Sequence, residues 1–317
     1  MNFVARKLLR LVGVVFAVSV LTFLMISLLP GDVAYAIAGE DATLEEINQI
    51  REELGLNDPL PIRYLEWIGN CLTGDFGASI RTGEPVLEAI FARLPVTLEL
   101  MILSQIIAVL LAIPLGLYSA YRANTARDKA ITTIGFVFVS VPNFVFGLIL
   151  IYVFALQLDL LPATDYQRIS DGLWANLRSM ILPALAIASA EWVVLMRVLR
   201  SDMIGVLRED YIAMARSKGL PPASVLFRHA LRPASFTLLT ILGLQVANVM
   251  SGALVIETLF ALPGLGRLLV ENIFARDFMM VQGCVLFIAV FYTVINFTVD
   301  MLYAAIDPRV RVERGHG

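Results

Sequence analysis

Between Glu99 and Arg122 the chain reads LMILSQIIAVLLAIPLGLYSAY, residues 100–121, without a single charged side chain. About 20 apolar residues suffice for a helix to cross the hydrocarbon core of a bilayer. Five further stretches of the same kind lie outward from it: Leu11 to Gly31, Ala130 to Leu158, Ser179 to Met196 (interrupted only by Glu191), Pro233 to Ile256, and Phe278 to Val299. Each is bracketed by charged residues. The spacing predicts six spans, drawn to their flanking residues as 11–31, 96–121, 130–158, 179–200, 233–256 and 278–303. The fold class expected is an all-α membrane protein.

Composition supports this. Of 317 residues, 58% are apolar and 16% charged, and mean hydropathy is +0.79. A soluble domain carries roughly 45–50% apolar and about 25% charged residues. The balance excludes a soluble enzyme, a disordered chain and a disulfide-stapled secreted domain. Two Cys and two His cannot supply a four-ligand metal site close in sequence. The only lysines, Lys7, Lys129 and Lys218, do not follow a Gly, so no P-loop is present. A membrane protein without its own nucleotide motor remains.

Charge sorting orients the spans. Residues 1–10, 122–129, 197–232 and 304–317 together hold 16 basic and 6 acidic residues, whereas 32–93, 159–178 and 257–277 hold 8 basic and 18 acidic. By the positive-inside rule both termini are expected in the cytoplasm. Arg6, Lys7 and Arg10 followed by an apolar run resemble a signal peptide, but the run from Leu11 to Leu29 exceeds the 7–15 residues of a signal h-region. A retained anchor is expected.

Two loops have content. In the outer loop 32–93, Thr43 and Glu46 form a capping box for a helix through Arg51 that stops at Leu54-Gly55. Pro61 opens a second helix through Trp67 and Ile68. Gly74-Asp75-Phe76-Gly77 reads as a turn, and Pro85 opens a third short helix ending near Arg93. The loop is either an amphipathic cap on the membrane or a docking surface for an outer partner. In the inner loop 201–232, Met203, Leu207, Tyr211, Met214 and Ala215 recur at helical spacing, predicting one apolar stripe. Gly219 ends that helix, Pro221-Pro222 forbid its continuation, and a second short helix is expected from about Ala223 to Leu231. The product is a rigid elbow. Its alternative is a helix floating at the lipid interface, an attraction that Glu209 and Asp210 weaken.

Polar groups inside spans are functional candidates by default. Glu191, mid-span, either lines a pathway, pairs structurally with an Arg of another chain, or is protonated. Gln245, Asn248 and Gly252 share a face of the fifth span, to line a cavity or to hydrogen-bond a neighbouring helix. Tyr292, Asn296 and Asp300 share a face of the sixth, with Asp300 placed to pair with an inner Arg. Glu99 is read as solvated near the outer interface.

The segment from Glu209 to Leu220, EDYIAMARSKGL, resembles the coupling loop of ABC importer permeases. More narrowly, the chain is similar to the first permease subunit of dipeptide and oligopeptide importers, a group that includes glutathione permeases. Leu29-Pro30-Gly31-Asp32, Leu54-Gly55-Leu56 with Pro59, and Gly74-Asp75-Phe76-Gly77 agree. So do Pro95 with Thr97-Leu98-Glu99-Leu100, Glu257 with Phe260 and Pro263-Gly264-Leu265-Gly266-Arg267, Arg276-Asp277, Val281-Gln282-Gly283 and Asp307-Pro308-Arg309. One departure stands out: the general loop begins Glu-Ala-Ala, and here Ala213-Met214-Ala215 occupies those places, leaving Glu209 or Asp210 to supply the acid.

The resemblance implies an inner-membrane permease of a bacterium, without catalysis or a bound metal or cofactor of its own, and with no nucleic-acid partner. It would assemble with a second permease, two cytoplasmic ATPases that carry ATP and Mg, and an external substrate-binding protein. The residues implied in coupling are Glu209, Asp210, Tyr211, Ala215, Arg216, Lys218 and Gly219. Candidates for the translocation path are Glu191, Gln245 and Asn248. Di- and oligopeptides lead as substrates, with glutathione, nickel chelates or opines as alternatives. A proton-coupled secondary transporter using Glu191 and Asp300 is the remote rival, and it leaves the elbow unexplained.

Overall fold

The computed structural model describes residues 3–27, 43–53 and 57–306. The Leu29–Asp32, Leu54–Leu56 and Asp307–Arg309 motifs lie outside them, as does the side chain of Asp300. Among the described residues the helices in chain order are α1 Phe3–Ser27, α2 Leu44–Glu53, α3 Leu60–Thr73, α4 Val86–Tyr121, α5 Ala126–Ser140 and α6 Asn143–Leu150. Then come α7 Leu173–Val206, α8 Asp210–Ser217, α9 Leu231–Leu259, α10 Leu265–Phe274 and α11 Phe278–Ile306. Five stretches are long and apolar enough to cross a membrane, and the bent pair α5–α6 makes a sixth when counted as one span.

Three expectations about helix boundaries are corrected. The helix opened by Pro85 does not stop near Arg93: it runs through Pro95 into the second span as one helix of 36 residues. A proline costs less inside a membrane helix, where neighbouring groups satisfy the freed carbonyl. The third span is broken. Val141 is extended (φ −94, ψ 123) ahead of Pro142, and α5 and α6 meet at 99°. Proline disfavours the helical conformation for the residue before it, which explains a break at this position. The segment 257–277, counted above with the outer loops, carries α10.

The chain forms two compact units, and α4 contributes its first ten residues to one and the remainder to the other. In the first unit, residues 1–95 and 264–317, α1 lies along α11. The predicted capping box is present: the Thr43 N–H donates to Glu46 Oε2 at 2.8 Å, and the Glu46 N–H to Thr43 Oγ1 at 3.3 Å. Helix α3 begins with Pro61 in its first turn and ends at Gly74 in the left-handed region. It is fastened to α1 by aromatic rings, with Tyr64 edge-on to Phe23 at 5.5 Å and Trp67 stacked on Phe23 at 5.9 Å. In the turn that follows, the Gly77 N–H donates to Asp75 Oδ1 at 2.9 Å. Fully buried Asp277 accepts from the Ser79 hydroxyl at 2.5 Å and from the Met280 N–H at 3.1 Å, capping α11 and tying the turn to it. A Cβ on Gly283 would lie 2.5 Å from Val86 Cγ1, so α11 needs glycine where it meets the start of α4. Cys71 and Cys284 are free thiols.

The second unit, Val96–Pro263, is built around α7, the most buried of the membrane-crossing helices. It packs against α9, α6 and α5. One apolar cluster runs from Ala108, Ala112, Leu117 and Ala120 of α4 through Trp192, Met196, Leu199 and Met203 of α7 to Ala234 and Leu238 of α9. That cluster continues directly into the inner loop.

Candidate functional site

The inner loop bends at 219–222, where a break between two helices was expected, but its first arm is not the one continuous stretch that the stripe from Met203 to Ala215 predicted. Helix α7 stops at Val206, and residues 207–209 turn the chain, the Leu207 N–H still reaching Met203 O at 2.9 Å. Glu209 is extended (φ −68, ψ 147) and its carbonyl accepts from the Ile212 N–H at 3.0 Å, starting α8. Asp210 in the first turn and Arg216 in the last both complement the helix dipole. Beyond Lys218, Gly219 has φ +79 and its N–H donates to Arg216 O at 2.9 Å, so the predicted glycine stop is present. The arm after Pro221-Pro222 is no separate helix. It is one turn, Pro222–Ser224, and a π-helical turn, Val225–Ala230, that lead without a break into α9.

Breaking the helix at 207–209 changes which residues face inward. Ile212 is fully buried in the cluster of Leu117, Ala120, Met203, Val225 and Ala230, and Ala215 is nearly as buried. Tyr211 and Met214, predicted on one apolar stripe with Ala215 and without Ile212, are 46% and 60% exposed. The outward face therefore carries Glu209, Asp210, Tyr211, Met214, Arg216 and Lys218, while Ala215 anchors the elbow from behind. Burying Ile212 against the ends of α4, α7 and α9 makes the elbow part of the same packed body as those helices.

A second polar cluster lies within the spans. Gln105 of α4 donates its Nε2–H to Glu191 Oε2 at 2.7 Å, and the Gln245 Nε2–H of α9 reaches the Glu191 carbonyl at 3.5 Å. Glu191 and Gln245 thus meet directly, and Glu191 also holds Gln105, which sequence reasoning missed. Asn248 is exposed and stands apart from them. Among the described residues, nothing hydrogen-bonds the buried Oε1 atoms of Gln105 and Gln245. Among the described residues no basic group forms an ion pair with Glu191. Glu99, expected to be solvated, instead accepts from the Tyr166 hydroxyl at 2.8 Å and keeps its other oxygen buried. Burial first, and then this carboxylate, hold the Tyr166 hydroxyl above its ordinary pKa.

Between the two clusters lies an ion pair that no sequence pattern announced. Arg200 of α7 grips Asp128 of α5 with two bonds, Nε to Oδ1 at 2.7 Å and a terminal nitrogen to Oδ2 at 2.6 Å. The Ser119 hydroxyl of α4 also donates to Oδ1, and the Asn124 N–H donates to Oδ2 at 2.8 Å. Asn124 is left-handed (φ 66), and Thr125 caps α5 by accepting from the Asp128 N–H. One carboxylate thereby joins the α4–α5 hairpin to α7. The only sequence signal was its place as the sole acid in the basic segment 122–129.

Comparison with known proteins agrees with this architecture. The family of binding-protein-dependent transport system inner membrane components matches residues 112–312, and the N-terminal part of such membrane components matches residues 1–101. The chain belongs to this family, and is a multi-pass protein of the inner membrane. It is 39% identical to a probable peptide ABC transporter permease protein of Sinorhizobium fredii, over 98% of this chain and 99% of the relative. It is 38% identical to the oligopeptide transport system permease protein AppB of Bacillus subtilis, over 97% and 98%. The glutathione transport system permease protein GsiC of Escherichia coli is also 38% identical, over 98% and 99%.

Proposed function

We propose that this chain is one of two permeases of an ATP-driven importer of di- and oligopeptides. In this reading both termini are cytoplasmic and the elbow of α8 docks on one of two partner ATPases, which carry ATP and Mg. A second permease completes the path, and an external binding protein delivers the substrate. The observation that carries it is the division of α8 into two faces. On the inner side Ile212 sits in the apolar cluster with the ends of α4, α7 and α9 and Ala215 is buried, and an outward Tyr211–Met214 side is left with charges around it. A helix fixed in that way passes a push on its outer face to three spans at once. The names of the relatives support peptides as the substrate class, and the glutathione relative makes that tripeptide the second compound to test.

Glu191 with Gln105 and Gln245 is the reading's candidate contact for a passing peptide, its carboxylate meeting a cationic amino terminus. Glu191→Gln keeps the size and deletes the charge. Uptake of a labelled dipeptide by the reconstituted complex is expected to fall about tenfold or more, the scale of one charge-assisted hydrogen bond of roughly 1.5–3 kcal/mol. The second permease should still co-purify. Full uptake would remove Glu191 from the path, and lost co-purification would make it a structural acid. Competition by unlabelled oligopeptides and by glutathione on the wild-type complex separates the two substrate readings.

A further inference from the structure

A concavity of the second unit lies between the elbow and the ends of α4 and α7, and Arg216 reaches it from the edge of the elbow's outward face. It encloses about 520 Å³, within the roughly 300–1,000 Å³ range of small-ligand sites. Its wall combines the guanidinium-bearing residues Arg122, Arg208 and Arg216 with apolar Leu207, Leu220 and Val225. Arg122 follows the last residue of α4 and Arg208 lies just past the end of α7. The cavity therefore sits where two apolar spans give out, at the height of a membrane–water boundary. Among the described residues none of the three arginines forms an ion pair. Glu209 and Asp210, the acids nearest in sequence, do not line it. Arg122 stacks its guanidinium 5.5 Å from the centre of the Tyr121 ring, at the same rim.

Three unpaired cations around an apolar floor, at the end of membrane spans, match an anion that carries a hydrocarbon tail. We propose that this cavity binds the headgroup of an anionic phospholipid, its phosphate among the three arginines and its chains running up beside the apolar wall. Basic pockets between helices at the cytoplasmic boundary are the general form of such sites. A lipid held there touches α4, α7 and both arms of the elbow together, and so sets how stiffly the elbow follows the spans. The proposal rests on the reading above only in placing this face at the inner leaflet.

The test uses the assembled complex in detergent, titrated with phosphatidylglycerol or with phosphatidylcholine of the same acyl chains and followed by native mass spectrometry. Preferential retention of phosphatidylglycerol is expected. Each basic residue near a membrane surface contributes about fivefold in affinity, so Arg122→Gln with Arg208→Gln should weaken retention roughly 25-fold. Arg122→Lys with Arg208→Lys should restore most of it. Should the double Gln variant fail to assemble, Leu220→Trp, which fills the mouth while keeping every charge, is expected to reduce retention as well. Equal retention of the two lipids, or retention indifferent to these variants, overturns the proposal. So does displacement of the lipid by millimolar inorganic phosphate, which would define a free-anion site. A photocrosslinker at Leu220 that captures an ATPase subunit instead of lipid would assign the cavity to that partner. None of these failures touches peptide uptake by the wild-type complex, so the permease reading is tested separately.

Discussion

Gly219→Val is expected to abolish uptake while the protein still reaches the membrane and assembles. Gly219 sits at φ +79, directly after the helix that carries the outward face, and two backbone bonds close over it: its own N–H to Arg216 O and the Leu220 N–H to Ala215 O at 3.4 Å. No heavy atom lies within 4 Å of where a Cβ would stand. The obstacle to a side chain is thus the backbone conformation and not space. A left-handed L-residue costs roughly 1–2 kcal/mol, and a β-branched one is a genuine outlier there. That cost is too small to unfold the protein. It is large enough for the chain to flip out of the left-handed well, which would swing Pro221-Pro222 and loosen α8 from the ends of the spans. Gly219→Asn, which tolerates this conformation, should retain much of the uptake. Gly219→Pro, with φ locked near −65° and no N–H, should behave as the Val variant does. Wild-type uptake by a well-expressed Gly219→Val variant would contradict a rigid elbow.

The second large effect concerns folding. Arg200→Met is expected to cost about 3 kcal/mol, because it leaves the Asp128 carboxylate buried without its cation. The Asp128 side chain is 3% exposed and that of Arg200 26%, which places the loss at the lower end of the 3–5 kcal/mol range for breaking buried pairs. Asp128→Asn should cost less, since it strands no buried carboxylate: the amide oxygen can accept from the Asn124 N–H and the amide nitrogen can donate to the Ser119 hydroxyl oxygen. Combining the two substitutions should recover part of the loss, because the stranded charge is gone. Thermal denaturation of the four proteins gives the coupling energy directly. A single Arg200→Met variant that melts with the wild type would show that the pair does not hold α5 to α7.

The spans were legible because lipid imposes a simple rule: backbone groups must be satisfied internally and side chains must be apolar, so absence of charge marks position. Ends of helices were less legible. Pro85 and Pro95 both look like boundaries in sequence, yet only one is, since the helix that continues through Pro95 is already packed on both sides of it. The 99° break at Pro142 was missed for the opposite reason: Pro142 lies inside an apolar run of 29 residues from Ala130 to Leu158, and a proline there suits a mild kink as well as a full break. At the elbow, helical periodicity placed Tyr211 and Met214 with Met203 on one stripe. A three-residue turn at 207–209 shifted the phase and exchanged them for Ile212. Periodicity cannot be carried across a break that it does not register. Glu191 and Gln245 could be singled out as polar residues in apolar surroundings, but the hydrogen bonds of Glu191 with Gln245 and Gln105, and the Asp128–Arg200 grip, depend on which helices are neighbours. Helix adjacency is a tertiary fact that local patterns do not encode.

The central claim is that the outward face of α8 docks on an ATPase while its inner face holds the elbow to the spans. Cysteine crosslinking tests it most directly, in a Cys71→Ser background. Cys71 is already a poor competitor, since burial, with Asp75 beside it, pushes its thiol up to about 11, and little thiolate is present at neutral pH. Cys284 is buried. Met214→Cys and Ala215→Cys, adjacent in sequence and on opposite faces, would each be treated with a short bifunctional maleimide in the assembled complex. The account predicts a crosslink from position 214 to an ATPase subunit, changing in yield when ATP is added, and none from position 215. A Met214→Cys thiol that labels freely with a soluble maleimide in the full complex and reaches no ATPase would contradict it.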